Sequence, residues 1–345
     1  MHGATHEVTN VVAPLADYNL FTTDTALQEA VARAGAAGHA ADLAAYGERL
    51  GSAETLRLAE QANRFKPELH TFDQAGHRID RVEFHPAWHE IMRLQRESGQ
   101  ISQPFSDPRP GAWGAYAAAF SMHMQVEAGS QCPGSMTFAA IPVLQQEPQL
   151  FQQLEPKLYS RTYDARDVPV EQKAAMLVGM GMTEKQGGSD LRANTTRAVP
   201  VRGEGRGAQY ELTGHKWFFS APQSDAHLVV AQAPGGFSCF YVPRFRPDGS
   251  HNAVFIQRLK NKVGNHSNAS SEVEFNGAWG LMIGEEGRGV PTIIEMATST
   301  RLNCVMGSAG LIRQAVVQAI HHTRHRKAFG KLLVDQPLMR NVLAD

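Results

Sequence analysis

Residues 182–190 read MTEKQGGSD and follow the apolar run AAMLVGMG that ends at Gly181. Thr183, Gly187, Gly188 and Ser189 thus sit where a short buried strand would end, and hydroxyls and side-chain-free backbone are the groups that let amides approach a ligand closely. About 25 residues on, HKWFFS supplies Trp217, Phe218, Phe219 and Ser220. Each motif alone has a plainer reading. Gly-Gly-Ser after a strand is commonly a turn, and adjacent aromatics in a strand commonly pack in a core; core packing is the expectation for one of the two phenylalanines. Three cationic or amide side chains, Arg301, Arg326 and Gln336, lie in the C-terminal part. Arg326 and Gln336 suit either solvated helix positions or a nucleotide. Arg301 stands in an apolar stretch, so it is expected to be partly buried and to need an acidic partner. The pairs His85/His89 and His321/His325 have i, i+4 spacing, yet Arg93 stands four residues after His89 and no cysteines or carboxylates cluster with them, so no metal is expected.

These residues need a scaffold, and the chain has the composition for one. Its 345 residues are 42% hydrophobic and 19% charged, enough for two or three cores. Lysine plus arginine (33) nearly cancels aspartate plus glutamate (34), so no overall field draws it to nucleic acid or membrane. Three scattered cysteines, Cys132, Cys239 and Cys304, with no signal-like N-terminus and no long apolar run, favour a cytoplasmic protein without a disulfide framework.

Periodicity divides the chain at about residues 1–173, 174–282 and 283–345. In the first part Asp24 caps a helix with Leu27, Ala30, Val31 and Ala34 on one face, Ser52 starts another with Leu56, Ala59 and Ala62, and residues 114–144 hold two buried helices broken at Pro133 and Gly134. The second part is strand-like: a run over 174–181, a hairpin around Pro234–Gly236, a strand turning at Thr213 and Gly214, and an alternating strand with Val273 and Phe275 on one face. RGEGRG at 202–207 lacks the Walker and dinucleotide-fold patterns and reads as a hairpin loop. From Pro291 a long helix begins, with Val305, Ala309, Ile312, Val316 and Ile320 as its apolar stripe. The predicted class is α+β: a helical domain, an antiparallel β-barrel or sandwich, then the start of a helical bundle. The chain stops at MRNVLAD inside helical sequence, which reads as a fragment.

Four stretches, GMTEKQGGSD, GHKWFFSAPQSD, TRLNCVMGSAGLIRQAV and RKAFGKLLVDQPLMR, together resemble the flavin signatures and C-terminal helices of the acyl-CoA dehydrogenase family. FHPAWHEIM, QVEAGSQCPGSMTFAA and VPRFRPDGSHNA are similar to the branch of that family that responds to DNA alkylation. The resemblance implies FAD as cofactor and α,β-dehydrogenation of an acyl-CoA such as isovaleryl-CoA. It implies that Met182, Thr183, Gly187, Gly188, Ser189, Trp217, Phe218, Phe219 and Ser220 hold the flavin. Arg326, Phe329 and Gln336 would meet the FAD of a neighbouring subunit in a homotetramer, and Arg301 would support the active site. One position departs from the family: Phe219 stands where many members carry a threonine facing flavin N5. The catalytic glutamate is expected beyond Asp345, as is any region for double-stranded DNA. The alternative implied function is protection of DNA against alkylation, with vestigial dehydrogenase activity.

Overall fold

The computed structural model describes residues 5–344. Helices fill the first part: α1 (Thr25–Arg33), α2 (Ala40–Gly51) and α3 (Ala53–Arg64), then, after a small hairpin of β1 (Glu68–Phe72) and β2 (Arg78–Glu83), α4 (Pro86–Glu97), α5 (Gln103–Ser106), α6 (Ala112–Met124), α7 (Gln131–Gln145) and α8 (Pro148–Leu158). Asp24 and Ser52 cap α1 and α3 by accepting from the amides of Leu27 and Thr55. The break between the two buried helices falls at residues 125–130, where the turn amides of Gly129 and Ser130 bond the Glu127 carboxylate. Pro133 and Gly134 lie inside the first turn of α7 instead, where proline lacks only an amide that has no helical partner anyway.

Strands follow as β3 (Val178–Gly181), β4 (Arg197–Arg202), β5 (Gln209–Ser220), β6 (Ala226–Ala233), β7 (Gly236–Pro243), β8 (Val254–Leu259) and β9 (Ser270–Ile283). β5 pairs with β9, β9 with β7, β7 with β6, and both β3 and β4 bridge β6 back to β5, so the sheet closes on itself. The sheet is mixed and not wholly antiparallel. β3 arrives from the helical part and runs parallel to β6 through Val178–Gly181. Only these last four residues of the apolar run 174–181 are strand, and the 209–220 segment runs as one strand through Thr213 and Gly214, with register shifts at Leu212/Thr213 and Lys216/Phe219. β6 shows why its sequence is apolar without alternation. Leu228 and Val230 pack towards the helices, while Val229 and Ala231 pack inside the closed sheet.

The long helix α9 (Gly289–His325) leads to the hairpin β10 (Lys327–Ala328) and β11 (Lys331–Leu332) and to α10 (Pro337–Ala344). The buried face of α9 is not the predicted stripe. Val305 and Ile312 are 68% and 66% exposed, whereas Ile293, Met296, Ala297, Asn303, Gly307 and Gly310 are buried. Gly310 comes so close to α6 that a Cβ there would lie 2.3 Å from the Ser121 carbonyl oxygen, so small residues, not large ones, make this contact. No helix of the described residues is long and apolar enough to cross a membrane.

Two buried histidines brace this scaffold. His123 meets the Tyr46 hydroxyl at 2.6 Å and Ser130 Oγ at 2.8 Å, and burial pushes its pKa down to about 4 against the nearby Glu127 carboxylate. His227 stacks on Phe219 at 3.8 Å, and burial pushes it to about 3. Both stay neutral in the fold while the unfolded chain takes up protons near pH 6.5, so stability falls as pH drops below that value. Each histidine should contribute a slope of about 1.4 kcal/mol per pH unit. Urea midpoints measured from pH 7 to 5 should therefore decline steadily, and a flat profile would mean that neither ring is held neutral.

Candidate functional site

β3 and β5 end side by side: Gly181 pairs with Phe219, and the Trp217 amide donates to the Thr183 carbonyl at 2.8 Å. The loop 182–190 therefore leaves the sheet beside the aromatic cluster, which brings the two sequence motifs together. Met182 is half-buried against the core, and its carbonyl accepts from Asn194 Nδ2 at 2.7 Å. Gly187 has φ of +148°, open chiefly to glycine, and a Cβ on Gly188 would fall 2.8 Å from Thr183 Oγ1. Gly188 and Thr183 are thus in direct contact, and the loop folds back on its own start.

The residue that shapes this loop is Glu184, which sequence reasoning passed over. Its carboxylate is fully buried and accepts from the amides and hydroxyls of both Thr195 and Thr196, from Gln186 Nε2 and from Lys216 Nζ at 3.0 Å. The carboxyl is pushed up by burial, but these donors and the Lys216 charge outweigh that and hold it well below the usual carboxylate range. Lys216 has no exposed side-chain surface, and burial draws its pKa down to about 8 despite its partner. The pair remains ionised at neutral pH. A lysine at an inward position of a strand, in step with the buried Tyr210 and Leu212, is the signal that would have revealed it.

The second register shift of β5 decides which aromatic faces out. Strict alternation from Tyr210 would send Phe218 inward; the shift between Lys216 and Phe219 reverses this. Phe219 is buried between His227 and Phe275 and offers no surface to a ligand, whereas Phe218 is 52% exposed. Phe219 is therefore the one of the two phenylalanines that packs in the core, and its side chain is not available to hold a flavin. Trp217 is half-buried, with the Lys260 ammonium 3.5 Å from its ring centroid and Lys185 and Arg258 within 6 Å. Ser220 Oγ lies 3.5 Å from Ser270 Oγ. Burial raises the pKa of the Cys132 thiol, while Ser220, Lys262 and Asn268 pull it back. Asn268 Oδ1 is buried without a partner among the described residues.

Other predicted residues stand apart. Arg301 is exposed and makes no ion pair among the described residues, since it lies on the uncovered side of α9. This overturns the expectation of partial burial. Arg326 bonds the Asn10 carbonyl, Gln336 Nε2 reaches the Ala328 carbonyl at 3.2 Å, and Phe329 is 98% exposed at the β10–β11 tip with φ of +52°. No hydrogen bond or ion pair joins this hairpin to the 182–190 loop among the described residues. No cluster of three metal-ligating side chains occurs there either.

Three family models match in order: the AidB N-terminal domain at residues 10–165, the acyl-CoA dehydrogenase middle domain at 179–278 and the acyl-CoA dehydrogenase C-terminal domain at 287–345. The chain belongs to the acyl-CoA dehydrogenase family. It is 50% identical to AidB of Escherichia coli over the whole chain, covering 63% of that protein, and 30% identical over 88% of its length to acyl-CoA dehydrogenase family member 11 of Caenorhabditis elegans, covering 50% of it. The crystal structure of the Caenorhabditis elegans protein in complex with C11-CoA superposes with a TM-score of 0.88 at 27% identity, over 99% of this chain and 59% of that one. The chain thus spans between half and two thirds of the length of these relatives.

Members of this acyl-CoA dehydrogenase family are FAD-dependent flavoproteins. The site fits that group. The amides of Gly188, Ser189 and Asp190 and the hydroxyls of Thr183 and Ser189 have no partner among the described residues, and the loop that carries them is joined at Thr183 to the backbone of Trp217. Unused donors on a loop that leaves the sheet at a flat aromatic residue suit an anionic, planar cofactor.

Proposed function

We propose that this chain carries the flavin site of an acyl-CoA dehydrogenase-type oxidoreductase acting on an acyl thioester such as isovaleryl-CoA. The observation that carries the reading is the run of unpartnered donors at 183 and 188–190, fixed by the buried Glu184–Lys216 pair. Bound FAD would supply a two-electron acceptor. Thr183 would hold the pyrimidine edge, the amides of Gly188 and Ser189 a phosphate, and Trp217 one face of the ring, with Ser220 at its edge. Because Phe219 is buried, any contact to the ring edge there comes from backbone or from Ser220.

Abstracting the α proton needs a carboxylate within hydrogen-bond reach. Glu184 cannot serve, since its oxygens already accept from six donors and its burial excludes substrate. The base belongs, by resemblance, to a helix beyond Asp345. Arg326, Phe329 and Gln336 are read as contacts to the FAD of a second copy in a homotetramer, and Arg301 as active-site support from α9. A cytoplasmic setting completes the reading.

The test is anaerobic addition of isovaleryl-CoA to the FAD-loaded full-length protein, with duplex DNA titrated in parallel at several salt concentrations. Rapid bleaching of the flavin is the expected result. Absence of bleaching together with tight, salt-dependent duplex binding would favour the alternative role in protecting DNA and would overturn the dehydrogenase reading.

A further inference from the structure

The geometry points to Lys260 as a positioning residue that sets the reduction potential of a flavin stacked on Trp217, acting through the indole without touching the cofactor. The inference rests on the reading that Trp217 forms one wall of the flavin site. Lys260 follows β8 directly, and its amide is pinned by the Ser270 carbonyl at 2.7 Å. Its ammonium lies 3.5 Å from the Trp217 centroid, 4.5 Å from the Phe218 centroid and 2.9 Å from Glu272 Oε1. The lysine side chain is only 11% exposed and the glutamate 8%, so this charge acts in a poorly screened setting. Arg258 shares the same carboxylate at 2.7 Å and lies 5.7 Å from the indole. Two cations against one carboxylate leave a net positive charge beside Trp217.

A cation at contact distance from an indole face draws π density towards itself. The opposite face, on which a second planar group would stack, becomes less negative. It then favours a partner ring that grows richer in electrons, because fixed positive potential stabilises charge where it accumulates. Lys260 should therefore favour the reduced over the oxidised cofactor. Glu272 opposes it, since it neutralises part of the charge.

The experiment measures the two-electron midpoint potential of the FAD-loaded protein for wild type, Lys260→Met, Lys260→Arg and Glu272→Gln. Lys260→Met keeps the length of the stem and removes the charge; it should lower the potential by about 30 mV or more, a tenfold shift of a two-electron equilibrium. Lys260→Arg should restore it, and Glu272→Gln should move it the other way. A purely structural role for Lys260 would not produce shifts of opposite sign from the two partners. If Lys260→Met folds poorly, the rise expected of Glu272→Gln still decides. Unchanged potentials in both variants, with flavin spectrum and affinity sensitive to Trp217→Leu, would overturn the role of Lys260 alone. If Trp217→Leu leaves spectrum, affinity and potential unchanged, Trp217 is no wall of the site, and the flavin reading of that residue falls with the inference.

Discussion

Replacing Glu184 by glutamine is expected to yield a protein that is strongly destabilised and colourless. The substitution removes the only carboxylate that pairs with Lys216 among the described residues, and that lysine has no exposed side-chain surface. It also turns one acceptor into an amide donor facing the Thr195 and Thr196 donors, whose bonds fix the far side of the loop. Leaving a buried charge uncompensated costs about 3–5 kcal/mol. The urea midpoint should fall accordingly, and FAD should be lost because the amides at 188–190 are no longer held in place. Coupling Glu184→Gln with Lys216→Met removes the stranded charge and should recover part of the stability. A single variant with wild-type midpoint and full FAD would show that the loop does not depend on this pair.

Gly188→Val should abolish flavin binding with little effect on folding. The glycine is half-buried in a loop, so the global core is untouched, but its first added carbon would lie 2.8 Å from Thr183 Oγ1 and 3.0 Å from its Cγ2. Valine's two further methyls must push Thr183 away or move the amides of residues 188–190. Each hydrogen bond to a charged group lost in this way costs about 1.5–3 kcal/mol, or about 10- to 100-fold in affinity. Circular dichroism should report a folded protein and absorbance an apoprotein, with Gly188→Ala between the extremes. Yellow Gly188→Val protein of unchanged flavin affinity would remove this loop from the cofactor site.

Local chemistry was the most legible layer of the sequence. Caps at Asp24 and Ser52, the Pro234–Gly236 hairpin and the inward pair Val273/Phe275 all follow from side-chain bonding or period-two alternation, and the structure has them. Features that depend on distant partners were not legible. The bulge before Phe219 arises from pairing with β9 and reverses the alternation that the strand alone suggests. The face of α9 was misread because hydrophobicity marks the surface that seeks a partner, while close contact with α6 is made by Gly307 and Gly310. Glu184 stood inside the quoted loop motif, yet its role needed Lys216, Thr195 and Thr196 to be brought around it.

β9 carries a consequence for how the protein is made. It pairs with β5, β7 and β8 and is the last strand of the closed sheet to be synthesised. Until it leaves the ribosome, β5 and β7 each present an open edge, with the apolar residues meant for the interior, Tyr210, Leu212 and Phe240 among them, facing an unfinished barrel. Strand pairing across such a separation is slow to form, and open edges invite pairing between nascent chains. The interval before β9 emerges is therefore when this chain depends most on chaperone shielding, and substitutions that weaken β9 should lower the yield of soluble protein before they lower the stability of what does fold.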